Sequence, residues 1–301
     1  MVDPIMHVWG WEIPVYLFLG GMVAGMMIIS GYFLFSGRYQ KELCACYILP
    51  GLAIILLSLG MLALFLDLEH KLYFWRLYLT FEPASPMSWG SWILLLVYPA
   101  LLLNLLMRPP DFLVNRWARL AEIRDQLRQR AQLVRWIGAA NMILGGLLGV
   151  YSGVLLSTLV ARPLWNSAIL GPLFLVSGLS SAAAFIHMIA PDRAERELLA
   201  KADNAFLITE LILLGLFVIG LASASEVHIE AIGLFLGGPY TAMFWVFVVG
   251  IGIVLPLVIQ LLAVNHRIMH TPVAPILVIA GGLLLRFVFV FAGQLSRFGG
   301  I

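Results

Sequence analysis

Two phenols, a carboxylate and an imidazole lie near matching ends of long apolar segments. Tyr16 sits about one turn inside the first segment, Tyr151 in one half of the fourth, and Asp67 and His70 close the second on the same side. A phenol both donates and accepts a hydrogen bond, and a carboxylate and an imidazole of ordinary pKa about 6.5 can relay protons to a surface. Glu12, Glu69, Arg286 and Gln294 belong to the same side. Asn104, Asn141, His187, Glu210, Gln260 and His266 fall towards the opposite side. Ionisable groups inside apolar segments are costly, so those present mark a pairing, a cavity or a function. Glu210 and Arg286 stand several residues inside their segments and are the foremost candidates. Asn104, Asn141, His187, Glu210 and His266 could line a wet proton path if they share one interior face. Interhelical hydrogen bonding is the competing role for these five residues.

Histidine placement tests for haem, which needs histidines on facing helices at matching depth. His7, His70 and His228 fall in or beside loops on one side, and His187, His266 and His270 near the other, with only His187 clearly inside a segment. A His187/His266 pair is the one bis-histidine arrangement conceivable. Two cysteines, Cys44 and Cys46, are too few to hold an iron–sulfur cluster. No GxGxxG, P-loop or HExxH pattern occurs. The protein is expected to hold no haem, cluster or metal.

The elements that must position these residues follow from composition. Of 301 residues, 62% are hydrophobic and 11% charged, against roughly 25% charged in a soluble domain. A protein of this composition cannot cover its surface in water, and it is far too apolar for disorder. The apolar runs are continuous rather than alternating, which excludes a transmembrane barrel. Eight are long enough to cross a bilayer as helices, at about 13–35, 47–66, 89–107, 136–160, 168–190, 205–224, 240–264 and 273–292. Asp3 and no Lys or Arg precedes the first, so it lacks the basic region of a secretion signal and should remain as a span. The expected fold is all-α and integral to a bacterial or archaeal cytoplasmic (inner) membrane. It is expected as one membrane domain over 1–301, made of two four-helix bundles at 12–160 and 166–296.

Thirteen of the 18 Lys and Arg residues lie in the loops after spans one, three, five and seven, and four lie on the opposite side. Positive charge resists translocation, so both termini are expected in the periplasm. Cys44 and Cys46 then face the reducing cytoplasm and persist as thiols. The basic connection 108–135 spaces Leu113, Trp117, Leu120, Ile123, Leu127 and Val134 as on a helix. It reads either as an amphipathic helix on anionic lipid or as an ordinary positive-inside loop. An internal echo links Pro14-Val15-Tyr16-Leu17 and Gly20 to Pro172-Leu173-Phe174-Leu175 and Gly178, and a parallel repeat is allowed because spans one and five run the same way.

Four stretches carry a family resemblance. They are Trp11-Glu12-Ile13-Pro14-Val15-Tyr16-Leu17-Phe18-Leu19-Gly20-Gly21; Leu66-Asp67-Leu68 with Phe74 and Ser88-Trp89-Gly90-Ser91-Trp92; Tyr151-Ser152-Gly153-Val154-Leu155 through Pro163-Leu164-Trp165-Asn166; and Leu175-Val176-Ser177-Gly178-Leu179-Ser180. In order and spacing they resemble the polysulfide reductase membrane-subunit (NrfD-like) family of quinone-reactive anchors. The sequence departs from the family's frequent Asp-Leu-Gly-Arg-Pro by reading Asp67-Leu68-Glu69-His70-Lys71. The resemblance implies an eight-helix subunit without a cofactor of its own, exchanging electrons with menaquinone or ubiquinone. Its implied partners are a periplasmic ferredoxin-like iron–sulfur subunit and, beyond that, a molybdopterin catalytic subunit or a multihaem cytochrome c. By position it supports Tyr16 and Tyr151 as quinone ligands, with Asp67 beside them. His70 is added on chemistry alone, and Trp9, Trp11, Trp75 and Trp89 are candidates to wall the ring. A secondary transporter is the alternative. Its site would sit near the bilayer midplane, whereas the polar residues here gather towards the two faces.

Overall fold

The computed structural model describes residues 9–38, 47–107, 109–159, 161–264 and 271–297. Among them there is no strand, and eight helices are long and apolar enough to cross a membrane. We label these α1 (Glu12–Phe35), α2 (Leu49–Asp67), α3 (Pro86–Met107), α4 (Ala131–Ser157), α5 (Leu170–Ile189), α6 (Arg193–Ala222), α7 (Met243–Val264) and α8 (Val273–Leu295). His7, Cys44, Cys46, His266 and His270 lie outside the described residues.

Helix α1 is enclosed on nearly every side, packing on α2, α4, α5 and α8. Glycine permits this closeness, because small residues let helix backbones touch where lipid offers no hydrophobic drive. A methyl group on Gly31 or Gly138 would meet the other glycine's carbonyl oxygen at 2.6 Å, and one on Gly145 would meet Ala24 O at 2.7 Å. At the α1–α5 crossing, a methyl on Gly178 would collide with the Gly21 backbone. One apolar core gathers around α1 to α4 and takes in the far end of α5 with Leu199 of α6, and a second gathers around α5 to α8 together with the first turns of α1 and Leu156 of α4. Ile55, Leu59 and Leu62 on α2, and Ile212, Leu216 and Ile219 on α6, point outward as a lipid-facing rim.

Two elements differ from their sequence reading. Helix α6 begins at Arg193, twelve residues before the apolar segment does, with Asp192 accepting a hydrogen bond from Ala194 N at its start. Charged Arg193, Glu195, Glu197 and Lys201 hide that first part from a hydropathy reading. The basic connection is two short helices, Asp111–Arg116 and Ala118–Arg128, broken at the extended Trp117. Its apolar residues split accordingly. Trp117 and Ile123 are exposed, whereas Leu127 packs on the core and Val134 belongs to buried α4. Arg128 Nε donates to Met107 O at 2.7 Å, placing a cation on the C-terminus of α3. In α7, the stretch Met243–Val254 is wound with π-helical spacing before Pro256, which has no N–H to continue the α pattern.

Candidate ligand cavity and buried polar row

At the end of the molecule that carries Trp9 and Arg297 (the terminal face) a cavity of about 170 Å³ opens between α1, α2, α3 and α4. Tyr16 of α1 and Tyr151 of α4 stand in its wall, 6% and 7% exposed. The remaining wall is largely apolar: Met61, Leu64 and Phe65 from α2, Met87 and Leu94 from α3, and Leu155 from α4. Gly90 allows the Tyr151 ring its place, because a methyl there would overlap the ring and its hydroxyl.

From α3 and the segment after α2 the sequence reading offers Trp89 and Trp75, whereas other residues of those two elements line the wall. That segment, a turn at Lys71–Tyr73 followed by a helix at Arg76–Leu79, closes the cavity with Phe74, Leu77 and Tyr78. Ser88 and Ser91 of α3 hold it. Ser91 Oγ donates to Leu77 O at 2.7 Å, and Ser88 Oγ donates to Thr80 O at 3.2 Å.

The other expected members stand outside the wall. Asp67 ends α2 within electrostatic reach of Glu12, and His70 is exposed on the segment that follows. Trp11 is exposed at the start of α1, and the exposed Trp89 donates its indole N–H to Pro83 O at 2.8 Å. Trp75 lies under the Arg76 guanidinium. Trp9 stacks on Trp165 at 5.3 Å, while its backbone N–H and C=O pair with the Gln294 amide. Gln294 therefore fastens the two ends of the protein together.

The residues grouped as a proton path separate into two places. Asn104 and Asn141 meet between α1, α3 and α4, where Asn104 Nδ2 donates to Ser30 Oγ at 3.0 Å and to Asn141 Oδ1 at 3.4 Å. Asn141 Nδ2 in turn donates to Ala100 O and Ile137 O. Glu210 is instead among α5, α6 and α8, hydrogen-bonded to Ser177. His187 is buried near the far end of α5, and His266 lies outside the described residues. Arg286, fully buried, donates to Ser177 Oγ, to Phe174 O at 2.9 Å and to Gly282 O at 3.1 Å, with its guanidinium 4.9 Å from the Phe174 ring centre.

Asp203 joins this row unforeseen, because it lies just ahead of the apolar segment read at 205–224. It is fully buried, accepting from Ser180 Oγ at 2.6 Å and from Gln260 Nε2 at 2.7 Å. Asp203 and Glu210 are seven residues apart, two turns along one face of α6. Ser181 Oγ, Asn204 Oδ1, Gln260 Oε1 and Arg286 Nε are also buried, and make no hydrogen bond to the described residues. Among the described residues no group of three His, Cys, Asp or Glu side chains is arranged to hold a metal.

Compared with known families, residues 2–297 match the family described as polysulphide reductase, NrfD. The chain belongs to the NrfD polysulfide reductase family. It is 30% identical to Protein NrfD of Escherichia coli over 307 residues, an alignment that takes in 96% of each protein. It is also 30% identical to the polysulfide reductase C subunit of Wolinella succinogenes over 311 residues, which is 95% of this protein and 94% of that one. A NrfD homolog of Haemophilus influenzae is 29% identical over 307 residues. With eight apolar helices among the described residues, this NrfD-family member is a multi-pass protein of the bacterial inner membrane and a membrane subunit of a respiratory oxidoreductase.

Proposed function

We propose that the protein is the quinone-reactive subunit of its oxidoreductase, passing electrons between a quinone in this cavity and an iron–sulfur protein on the terminal face. The observation that carries this reading is an apolar cavity into which Tyr16 and Tyr151 bring phenols that hydrogen-bond to no other described residue. A buried tyrosine hydroxyl ordinarily finds a partner. A dry cavity of about 150 Å³ accepts a benzene-sized ring, so 170 Å³ suits a quinone head but not its isoprenoid tail. Phe65 and Met87, both in the wall and both exposed, mark the exit of that tail between α2 and α3 into lipid.

Reduction of a quinone takes up two electrons and two protons, and each carbonyl oxygen becomes a hydroxyl. The oxygen thus changes from acceptor to donor, and a phenol meets both forms. Tyr16 and Tyr151 are the groups we assign to the quinone oxygens. Asp67 and His70 stand nearer the aqueous surface as proton relays, and Trp11 and Trp89 frame the approach. Menaquinone and ubiquinone both present this chemistry.

A ferredoxin-like iron–sulfur subunit is the partner proposed for the terminal face, with a molybdopterin subunit or a multihaem cytochrome c beyond it. The Wolinella relative is named as one lettered component of a reductase, which supports assembly with other subunits. The charge bias supports a periplasmic terminal face, and spans 12–160 and 166–296 are proposed as two four-helix units. Reporters fused after Ile301 and within residues 116–130 are expected to report opposite compartments. A cytoplasmic C-terminus would reverse the assignment. The buried row around Glu210 and Asp203 is the proposed path for any coupled proton movement.

Losing one neutral hydrogen bond costs about 0.5–1.5 kcal/mol, roughly a few-fold to tenfold in affinity. Tyr16→Phe and Tyr151→Phe are each expected to weaken quinone affinity by that factor and to slow quinol-coupled turnover in membranes, with the partner still co-purifying. If both variants keep wild-type rates and inhibitor binding, the quinone site is elsewhere.

A further inference from the structure

The segment at 71–79 presents two unlike faces. Outward it shows Leu72, 86% exposed, and Tyr73 under the Arg76 guanidinium at 4.6 Å, a composition suited to the membrane interface. Inward it delivers half-buried Tyr78 to the cavity. The Tyr78 phenol stands in the cavity wall within electrostatic reach of Tyr16 on α1, and of Tyr98 on α3. It makes no hydrogen bond to another described residue. Burial, with Tyr98 beside it, raises its pKa above the ordinary phenol value, so near neutral pH it keeps the proton it would donate.

The other half of the molecule supplies an internal contrast. Helices α5 to α8 repeat the order of contacts made by α1 to α4, each forming a ring of neighbours. In the echo of the two halves, Phe174 takes the place of Tyr16. Phe289 lies six residues before the end of α8, as Tyr151 does before the end of α4. Phe235 comes from the connection between the second and third helices of its half, as Tyr78 does. Phe289 packs against Phe174 at 5.9 Å and Phe235 at 5.6 Å, all three fully buried in an apolar core. Where the fold needs only packing, it uses three phenylalanines; around the cavity, three tyrosines keep hydroxyls that no other described residue satisfies.

We propose that Tyr78 is a third ligand-binding phenol of the cavity, donating to a quinone oxygen, and that Ser91 is its positioning residue through the bond to Leu77 O. The inference rests on the quinone reading of the cavity and adds to it a residue from outside the membrane helices. It also makes the inner face of the 71–79 segment, with Phe74, Leu77 and Tyr78, part of the binding site rather than a passive connection.

The test uses the full-length protein in lipid nanodiscs, titrated calorimetrically with 2,3-dimethyl-1,4-naphthoquinone and, separately, with decylubiquinone. Tyr78→Phe is expected to weaken binding of at least one probe roughly two- to tenfold, while Tyr73→Phe on the outer face leaves it unchanged. Ser91→Ala is expected to weaken binding on its own but to add little in the Tyr78→Phe background, since both act through one contact. A purely structural serine would give additive losses. If Tyr16→Phe and Tyr151→Phe weaken binding and Tyr78→Phe does not, the inference on Tyr78 falls and the quinone reading stands. If neither probe binds the wild type, or none of the three variants weakens binding, the quinone reading falls and this inference with it.

Discussion

Replacing Arg286 by Met is expected to destabilise the protein by about 3–5 kcal/mol, the usual loss when one member of a buried charged pair is removed. Arg286 is fully buried, and the Ser177 hydroxyl joins it to Glu210 by accepting from the guanidinium and donating to the carboxylate. Without the cation, Glu210 keeps its burial and loses the charge that compensates it. The double variant Arg286→Met with Glu210→Gln should therefore recover much of the loss, because neutralising both members removes the imbalance. Thermal unfolding of the purified protein in detergent, compared across the two single variants and the double, reads this directly. A double variant as unstable as the sum of the singles would mean that the two residues do not compensate each other. Glu210→Gln also tests the proton proposal: in vesicles turning over quinol it should lower the proton-to-electron ratio, and an unchanged ratio would remove Glu210 from any path.

Gly25→Val is expected to cost about 3 kcal/mol or more, the upper part of the range for forced overpacking. A methyl at Gly25 would stand 2.6 Å from both Gly178 O and the Ala182 methyl, and 3.0 Å from Leu179 Cα. Two of these three neighbours are backbone atoms, so relief requires α1 and α5 to move apart. Those two helices connect the halves of the molecule, and their separation should lower the amount of folded protein in the membrane. Gly20→Ala is the matched control. Nothing lies within 4 Å of a methyl there, and alanine is the better helix former by roughly 0.5–1 kcal/mol, so this variant should be neutral or mildly stabilising. Equal behaviour of the two variants in membrane abundance and thermal unfolding would contradict the close α1–α5 crossing.

What the sequence disclosed, and what it concealed, follows from the range of each signal. Apolar run length is local and strong, so all eight spans are legible, with boundaries failing where charge continues the helix beyond the apolar part, as at Arg193 in α6. Asp203 was missed for that reason: it falls in the charged-looking stretch before the apolar run, although the fold buries it completely. Tyr16 and Tyr151 could be singled out because each sits inside an apolar segment. Tyr78 could not, since a tyrosine amid Tyr73, Phe74, Trp75 and Leu79 looks like any interfacial aromatic. Only the fold shows that the segment turns Tyr78 inward and Tyr73 outward. The pairing of Asn104 with Asn141, and their separation from Glu210, is likewise a matter of helix neighbours, which depth along a span does not encode.

The central claim is that a quinone head occupies the cavity among α1 to α4. Photolabelling with an azidoquinone in native membranes, followed by mass spectrometry of the labelled peptides, tests it most directly. Label is expected on peptides spanning residues 61–94 and on the peptide containing Tyr151, with both signals suppressed by excess unlabelled quinone. Competable label confined to α5 to α8, or label on 61–94 that unlabelled quinone fails to displace, would contradict it.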